Sequence, residues 1–170
     1  MHLSDFIAGL AHPVSGADHI LAMVAIGLWG VVAGGRAVWA WPVVFLTMVL
    51  AGFTAAILGL HVPFVQPAIA ASIVVLGLLI ALTVEAPLWL GAVIAGLFAF
   101  FHGHAHGTEA AASGIGLVAF AIGFSLATAA LHIVGIAGGL MLAGSAERSL
   151  LRTAGSLIAL GGLALIAMPA

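Results

Sequence analysis

Three histidines and a carboxylate stand together in Phe101-His102-Gly103-His104-Ala105-His106-Gly107-Thr108-Glu109, within a chain that otherwise avoids ionisable groups. On an α-helix His102 and His106 are i, i+4 neighbours with Cβ atoms roughly 6 Å apart, and Glu109 continues that face one turn later. Both imidazoles and the carboxylate can then reach one ion. His104 falls on the opposite side. The chemistry on offer is metal binding through nitrogen and oxygen. The plainer alternative is a polar helix end at a membrane surface with incidental histidines. It runs against the high cost of ionisable groups at membrane depth.

A second ligand-rich stretch is His12-Pro13-Val14-Ser15-Gly16-Ala17-Asp18-His19. Proline suits a first helical position, which places His12 near an N-cap and puts His12, Ser15, Asp18 and His19 on one face. Seven residues of helix rise about 10.5 Å, too far for His12 and His19 to share an ion unless Pro13 and Gly16 interrupt the helix. Either the start is unwound, or His12 sits in a vestibule. The alternative for Asp18 is a structural acid bonded to a neighbouring helix. The chain has no cysteine, which removes disulfides, thiolate ligands and a cysteine nucleophile together. Nitrogen and oxygen ligands favour nickel, cobalt or zinc over copper(I).

The elements that carry these residues follow from composition. Of 170 residues, 65% are hydrophobic and 5% charged, and the mean hydropathy is +1.38. A soluble globule carries about 25% charged residues, so the chain is an all-α integral membrane protein. At about 20 apolar residues per crossing, the length accommodates a single bundle of about six transmembrane helices with short loops, one domain over residues 1–170. The first run extends from the His12 motif to about Val32. Trp39 and Trp41 read as interfacial anchors, and Pro42 opens a second run to about Leu60. The third spans about Ala68 to Val84, the fourth about Leu88 to His104, and the sixth about Ala154 to Met168. The fifth, about Ala110 to Leu142, exceeds one crossing and is expected to tilt or break at Gly135, Gly138 and Gly139, giving seven helices if it breaks. Met1 to Leu10 lacks a basic n-region and carries Asp5, unlike a secretory signal peptide as it stands.

The three basic residues are Arg36, Arg148 and Arg152, all in turns that fall on one side of a six-span layout. That side is predicted to be cytoplasmic, with both termini outside in a bacterial inner membrane. His2, His12, His19, His61, His102, His104 and His106 then lie toward the outer side. His132 alone lies inward, with Ser125 and Thr128 before it on one helix face. These three fit an ion path or interhelical hydrogen bonds equally well. Phe45, taken alone, fits packing, and His61 fits a plain loop residue.

The two motifs, His-Pro-x-x-Gly-x-Asp-His at 12–19 and Phe-His-Gly-x-Ala-His-Gly-x-Glu at 101–109, resemble the HupE/UreJ family of nickel and cobalt permeases. The six-span layout fits that family over essentially the whole chain. The resemblance implies a secondary metal permease feeding a hydrogenase, a urease or a cobalt pathway. It assigns transport roles to His12, Asp18, His19, His106 and Glu109, with Phe45 as a further position, and family members often carry a cleavable signal. One departure is Gln66, where the family pattern leads us to expect an acid; it keeps a carbonyl ligand but loses a charge.

From the residues themselves, the metal set is His12, Asp18, His19, His102, His106 and Glu109, with His2 and His104 as outlying members. The path is Ser125, Thr128 and His132, to which the resemblance adds Phe45 and Gln66. No Walker-type phosphate loop is present, so uptake is expected to be facilitated or ion-coupled, without ATP. The resemblance implies Ni2+ or Co2+ as the cargo, and the nitrogen and oxygen ligands are compatible with Zn2+ as well. No resident cofactor and no nucleic-acid partner are expected. The rival reading is a membrane-embedded zinc hydrolase in which Ser15 orients the attacked group, although His-Glu-x-x-His is absent. A metal sensor or structural subunit is a third.

Overall fold

In the computed structural model, residues 3–142 and 148–167 are described, and every regular element among them is a helix. The order is α1 (Leu3–Ser15), α2 (Ala17–Ala33), α3 (Ala37–Ile57), α4 (Val65–Ala81), α5 (Leu88–Ser113), α6 (Leu117–Met141) and α7 (Arg148–Ala167). Apolar chains of this kind form helices because lipid offers the backbone no hydrogen-bond partners. Helices α3, α5, α6 and most of α7 are each long and apolar enough to cross a membrane. Helices α1 and α2 meet that test only as a pair, bent by 79°. With 17 residues, α4 rises about 25 Å, slightly less than a hydrocarbon core of about 30 Å. The protein is an integral membrane helical bundle.

Helix α3 packs most extensively on α5, α4 on α7, and both α1 and α2 on α6. Lipid is as apolar as the helix surfaces, so close backbone approach has to hold such pairs together. Glycine provides it. A Cβ at Gly103 would strike the carbonyl of Val49, one at Gly107 that of Phe53, and one at Gly52 that of Phe100. The same holds between α1 and α6 at Gly9 and Gly123, and between α2 and α6 at Gly27 and Gly135. In the His-Gly-x-x-His-Gly pattern, then, the glycines seat α5 on α3, and the histidines next to them in sequence are left to face elsewhere.

One end of the bundle gathers the start of α1, with Asp5 beside Gly116, the loop between α3 and α4, and the turn between α5 and α6. The other end holds the α2–α3 turn with Arg36, the α4–α5 turn, and Arg152, whose Nε donates to the Ala81 carbonyl at 3.2 Å. Trp39 and Trp89 are exposed near this end, as interfacial anchors are. Trp41 is not such an anchor. It is fully buried, stacks on Trp29 with ring centroids 4.1 Å apart, and donates from Nε1 to the Leu88 carbonyl at 3.0 Å.

Three expectations about the helices change. The long apolar run breaks at Gly114–Gly116, not at Gly135–Gly139. Gly114 ends α5 in the left-handed region at φ 69°, where glycine carries no Cβ penalty, whereas Gly135 and Gly139 are packed inside α6 against Val24 and Val31. The seventh helix comes instead from the break at Gly16. Helix α5 continues to Ser113, so the histidine stretch lies inside a helix and not at its end. Pro13 does not open a helix: α1 begins ten residues earlier, at Leu3, and His12 and Pro13 lie in its last turn.

Candidate metal centre

The centre is built where α1 stops. Pro13 lacks an N–H and crowds the preceding turn, and Gly16 then adopts an extended conformation with φ −111° and ψ 127°. The chain restarts as α2 at a bend of 79°, which removes the 10.5 Å separation that a continuous helix would impose on His12 and His19. Their ring centroids are 6.0 Å apart. Both meet His106 of α5, at centroid distances of 4.6 Å from His12 and 4.4 Å from His19. One ligand nitrogen from each of the three rings lies within 4.8 Å of the other two.

Each ring is oriented by a different partner. His19 Nδ1 lies 2.6 Å from Asp18 Oδ1, so the carboxylate accepts that proton and leaves Nε2 as the lone-pair nitrogen. A carboxylate behind an imidazole in this way fixes its tautomer and raises its basicity. Asp18 thus acts through His19. His12 Nε2 is 2.9 Å from His106 Nδ1, and Glu109 Oε2 stands 3.3 Å from the former and 3.8 Å from the latter. Gly16 sits tight against the Asp18–His19 pair, and a Cβ there would come within 2.6 Å of both Asp18 Oδ1 and His19 Nδ1.

His102 lies one turn deeper and outside the three-histidine group. Its Nδ1 donates to the Phe98 carbonyl at 2.9 Å, and its ring is 5.9 Å from His19 and 5.9 Å from Phe45. Phe45 in turn meets His132 edge-on at 5.1 Å. Among the described residues, the buried polar atoms without a hydrogen-bond partner include the Nε2 of His19, His102, His106 and His132, together with Thr128 Oγ1. Unpaired buried polar atoms are costly, and these form a descending series from the centre toward the opposite end of the bundle. In His19 and His102, whose Nδ1 atoms donate, Nε2 is left as the acceptor, the form in which an imidazole ligates a borderline cation.

The remaining expected residues are placed less centrally. His104 faces away, as its spacing indicates, and its Nε2 donates to the Leu60 carbonyl at 2.7 Å. Gln66 and Glu109 line one cavity at the α3–α4 loop. Ser125 is half-buried on the wall of an apolar groove between α3 and α6 with Leu50 and Phe53, separate from Thr128 and His132, which are buried. Ser15 turns its hydroxyl to the His12 carbonyl at 2.7 Å. His2 lies outside the described residues. Two aromatic walls were not visible in the spacing, Phe124 at 4.6 Å from His106 and Phe120 at 5.4 Å from His12. In an apolar helix such rings look like any other core residue.

The family described as HupE / UreJ protein matches residues 1–165. This chain belongs to the HupE/UreJ family. A curated relative, "Protein HupE" of Rhizobium leguminosarum bv. viciae, is 42% identical over 168 residues, covering 98% of this chain and 86% of that protein. No solved structure matches. HupE/UreJ proteins are associated with nickel and cobalt transport, and the apolar helices of this member form a multi-pass membrane bundle with a histidine cluster inside it.

Proposed function

We propose that this HupE/UreJ protein is a secondary transporter that takes up a divalent transition metal, nickel or cobalt, through the centre formed by His12, His19 and His106. The observation that carries this reading is the convergence of three imidazoles from α1, α2 and α5 within the helical bundle, with ligand nitrogens within 4.8 Å of one another. Two nitrogens each about 2.1 Å from one ion stand about 3 Å apart when they are neighbouring ligands, which is the spacing of His12 Nε2 and His106 Nδ1, 2.9 Å. Glu109 offsets the charge of the ion and Asp18 holds His19 ready to ligate. The whole chain, residues 1–170, acts as one permease domain in this reading, without ATP hydrolysis and without a resident cofactor.

The route inward runs from the three-histidine centre to His102, past Phe45, to His132 and Thr128. A cation crossing a hydrocarbon core needs replacement ligands on the way, and the unpaired nitrogens of His102 and His132 supply them. Phe45 lies against both rings. Its phenyl group offers no ligand, so it separates the outer centre from the inner station and must move aside for an ion to pass. Arg36 and Arg152 mark one end as cytoplasmic by the positive-inside rule, which places the histidine centre toward the outside of a bacterial inner membrane and both termini outside.

The test is uptake into sealed vesicles that contain the purified protein, with Ni2+, Co2+ and Zn2+ offered singly and in competition. Saturable accumulation of nickel or cobalt, lost in His106→Ala, is the expected result. Tight retention of metal without flux, or turnover of a peptide or lipid with metal bound, would replace transport by the hydrolase reading.

A further inference from the structure

We infer that the cavity between the α3–α4 loop and the outer turns of α5 is the entry site of the ion, where a hydrated divalent cation is held before Glu109 passes it to the buried histidines. This rests on the transport reading above and adds the place and the chemistry of capture. The cavity has a volume of about 280 Å3 and is lined by His61, Val65, Gln66, His104, Thr108 and Glu109. Six waters at about 30 Å3 each occupy about 180 Å3, so a hexahydrated ion fits without shedding its shell.

The lining suits such an ion. His61 and Gln66 are exposed and offer an imidazole and an amide oxygen from the loop side. His104 uses Nε2 to bond the Leu60 carbonyl, which leaves Nδ1 as the acceptor of that ring and ties α5 to the loop that forms the far wall. Glu109 is the link between cavity and centre. Its side chain is 57% exposed, yet Oε2 is 3.3 Å from His12 Nε2. One carboxylate therefore touches both the aqueous side and the ligands that complete dehydration. The larger opening nearby, about 490 Å3 between α3 and α6, is walled by Leu50, Phe53, Leu117 and Ile122 with two hydroxyls, those of Ser125 and of Thr54, the latter donating to the Leu50 carbonyl. It offers a hydrated cation no carboxylate and no imidazole, and hydrated ions avoid such apolar surfaces. The polar cavity is the route that dehydration chemistry permits.

The protein has no cysteine, so single cysteines can be placed without background. In vesicles, Val65→Cys and Val62→Cys, the latter a further lining residue of the cavity, are compared with Val14→Cys on the exposed side of α1, each before and after labelling with a membrane-impermeant cationic methanethiosulfonate. Labelling in the cavity is expected to slow nickel uptake at least about fivefold, external Ni2+ is expected to protect the thiols, and labelling at Val14→Cys is expected to leave uptake unchanged. His61→Ala is expected to raise the half-saturating nickel concentration about threefold to tenfold at an unchanged maximal rate. Full uptake after complete labelling at both cavity positions overturns the entry site while transport itself stands. Vesicles that carry no metal before labelling, with folded unmodified protein, overturn the transport reading and the entry site with it.

Discussion

His12 Nε2 approaches His106 Nδ1 to 2.9 Å across 94 residues of sequence, and one of the two nitrogens must donate a proton to the other at that distance. A metal ion shared by both rings needs a lone pair from each. Ion binding therefore requires that proton to move to the other nitrogen of its ring, and because a protonated imidazolium has no free lone pair, metal and protons compete for one site.

Affinity is accordingly expected to fall as the outer medium becomes acidic. Between pH 7.5 and 5.5 a progressive loss of apparent affinity is expected, because protons and metal compete for the same imidazole nitrogens. The sign follows from the neutral form being the ligand: its fraction is high above the pKa and lost below it. Isothermal titration of purified protein with Ni2+ across that range measures the slope, and an affinity independent of pH would rule out histidine ligation.

Asp18 and His19 form a carboxylate–imidazole pair at 2.6 Å. Asp18→Asn keeps the size of the side chain and removes its charge, and the expected loss in metal affinity is about 10- to 100-fold, the range for groups that orient a ligand from behind. Thermal stability should change little, because Asp18 is part-exposed. A variant with unaltered nickel affinity would reduce Asp18 to a surface acid.

His132 tests the path separately from the centre. It is 3% exposed and meets Phe45 edge-on, away from the three-histidine group. His132→Ala is expected to slow vesicle uptake about tenfold or more while equilibrium binding of Ni2+ stays near the native value, whereas His106→Ala weakens both. Normal uptake per folded molecule in His132→Ala would assign this residue to packing.

The glycines of the histidine motif make a prediction about stability. A Cβ at Gly103 would meet the carbonyl of Val49, so Gly103→Ala should force α3 and α5 apart and destabilise the bundle by about 1–3 kcal/mol, the usual cost of overpacking. At Gly138 nothing lies within 4 Å of the added methyl, and there Ala should stabilise the helix by about 0.5–1 kcal/mol through lower backbone entropy loss. Unfolding in mixed detergent micelles compares the two. Equal tolerance at both positions would mean that α3 and α5 are not held by this approach.

Composition determined the class of this protein without help. A chain with 5% charged residues and 65% hydrophobic ones can satisfy its backbone in lipid only as helices. The i, i+4 spacing of His102 and His106 likewise put both rings on one side of α5, because helical periodicity is local. What lay beyond local geometry was decided by tertiary contacts. His12 joins His19 only because the chain bends by 79° at Gly16, and the direction after such a break depends on α6, against which α1 and α2 both pack. His106 belongs to the centre and His102 to the station beneath it, although they are one turn apart, because His12 and His19 both close on His106 while His102 has only His19 beside it. Trp41 looked like an interfacial anchor and lies in the core, since its neighbour Trp29 comes from another helix. His61 looked like a loop residue and shares a cavity with Glu109 for the same reason. Periodicity along a helix states which side chains share a face; which face meets which, and at what depth, is set by contacts between residues far apart in the chain.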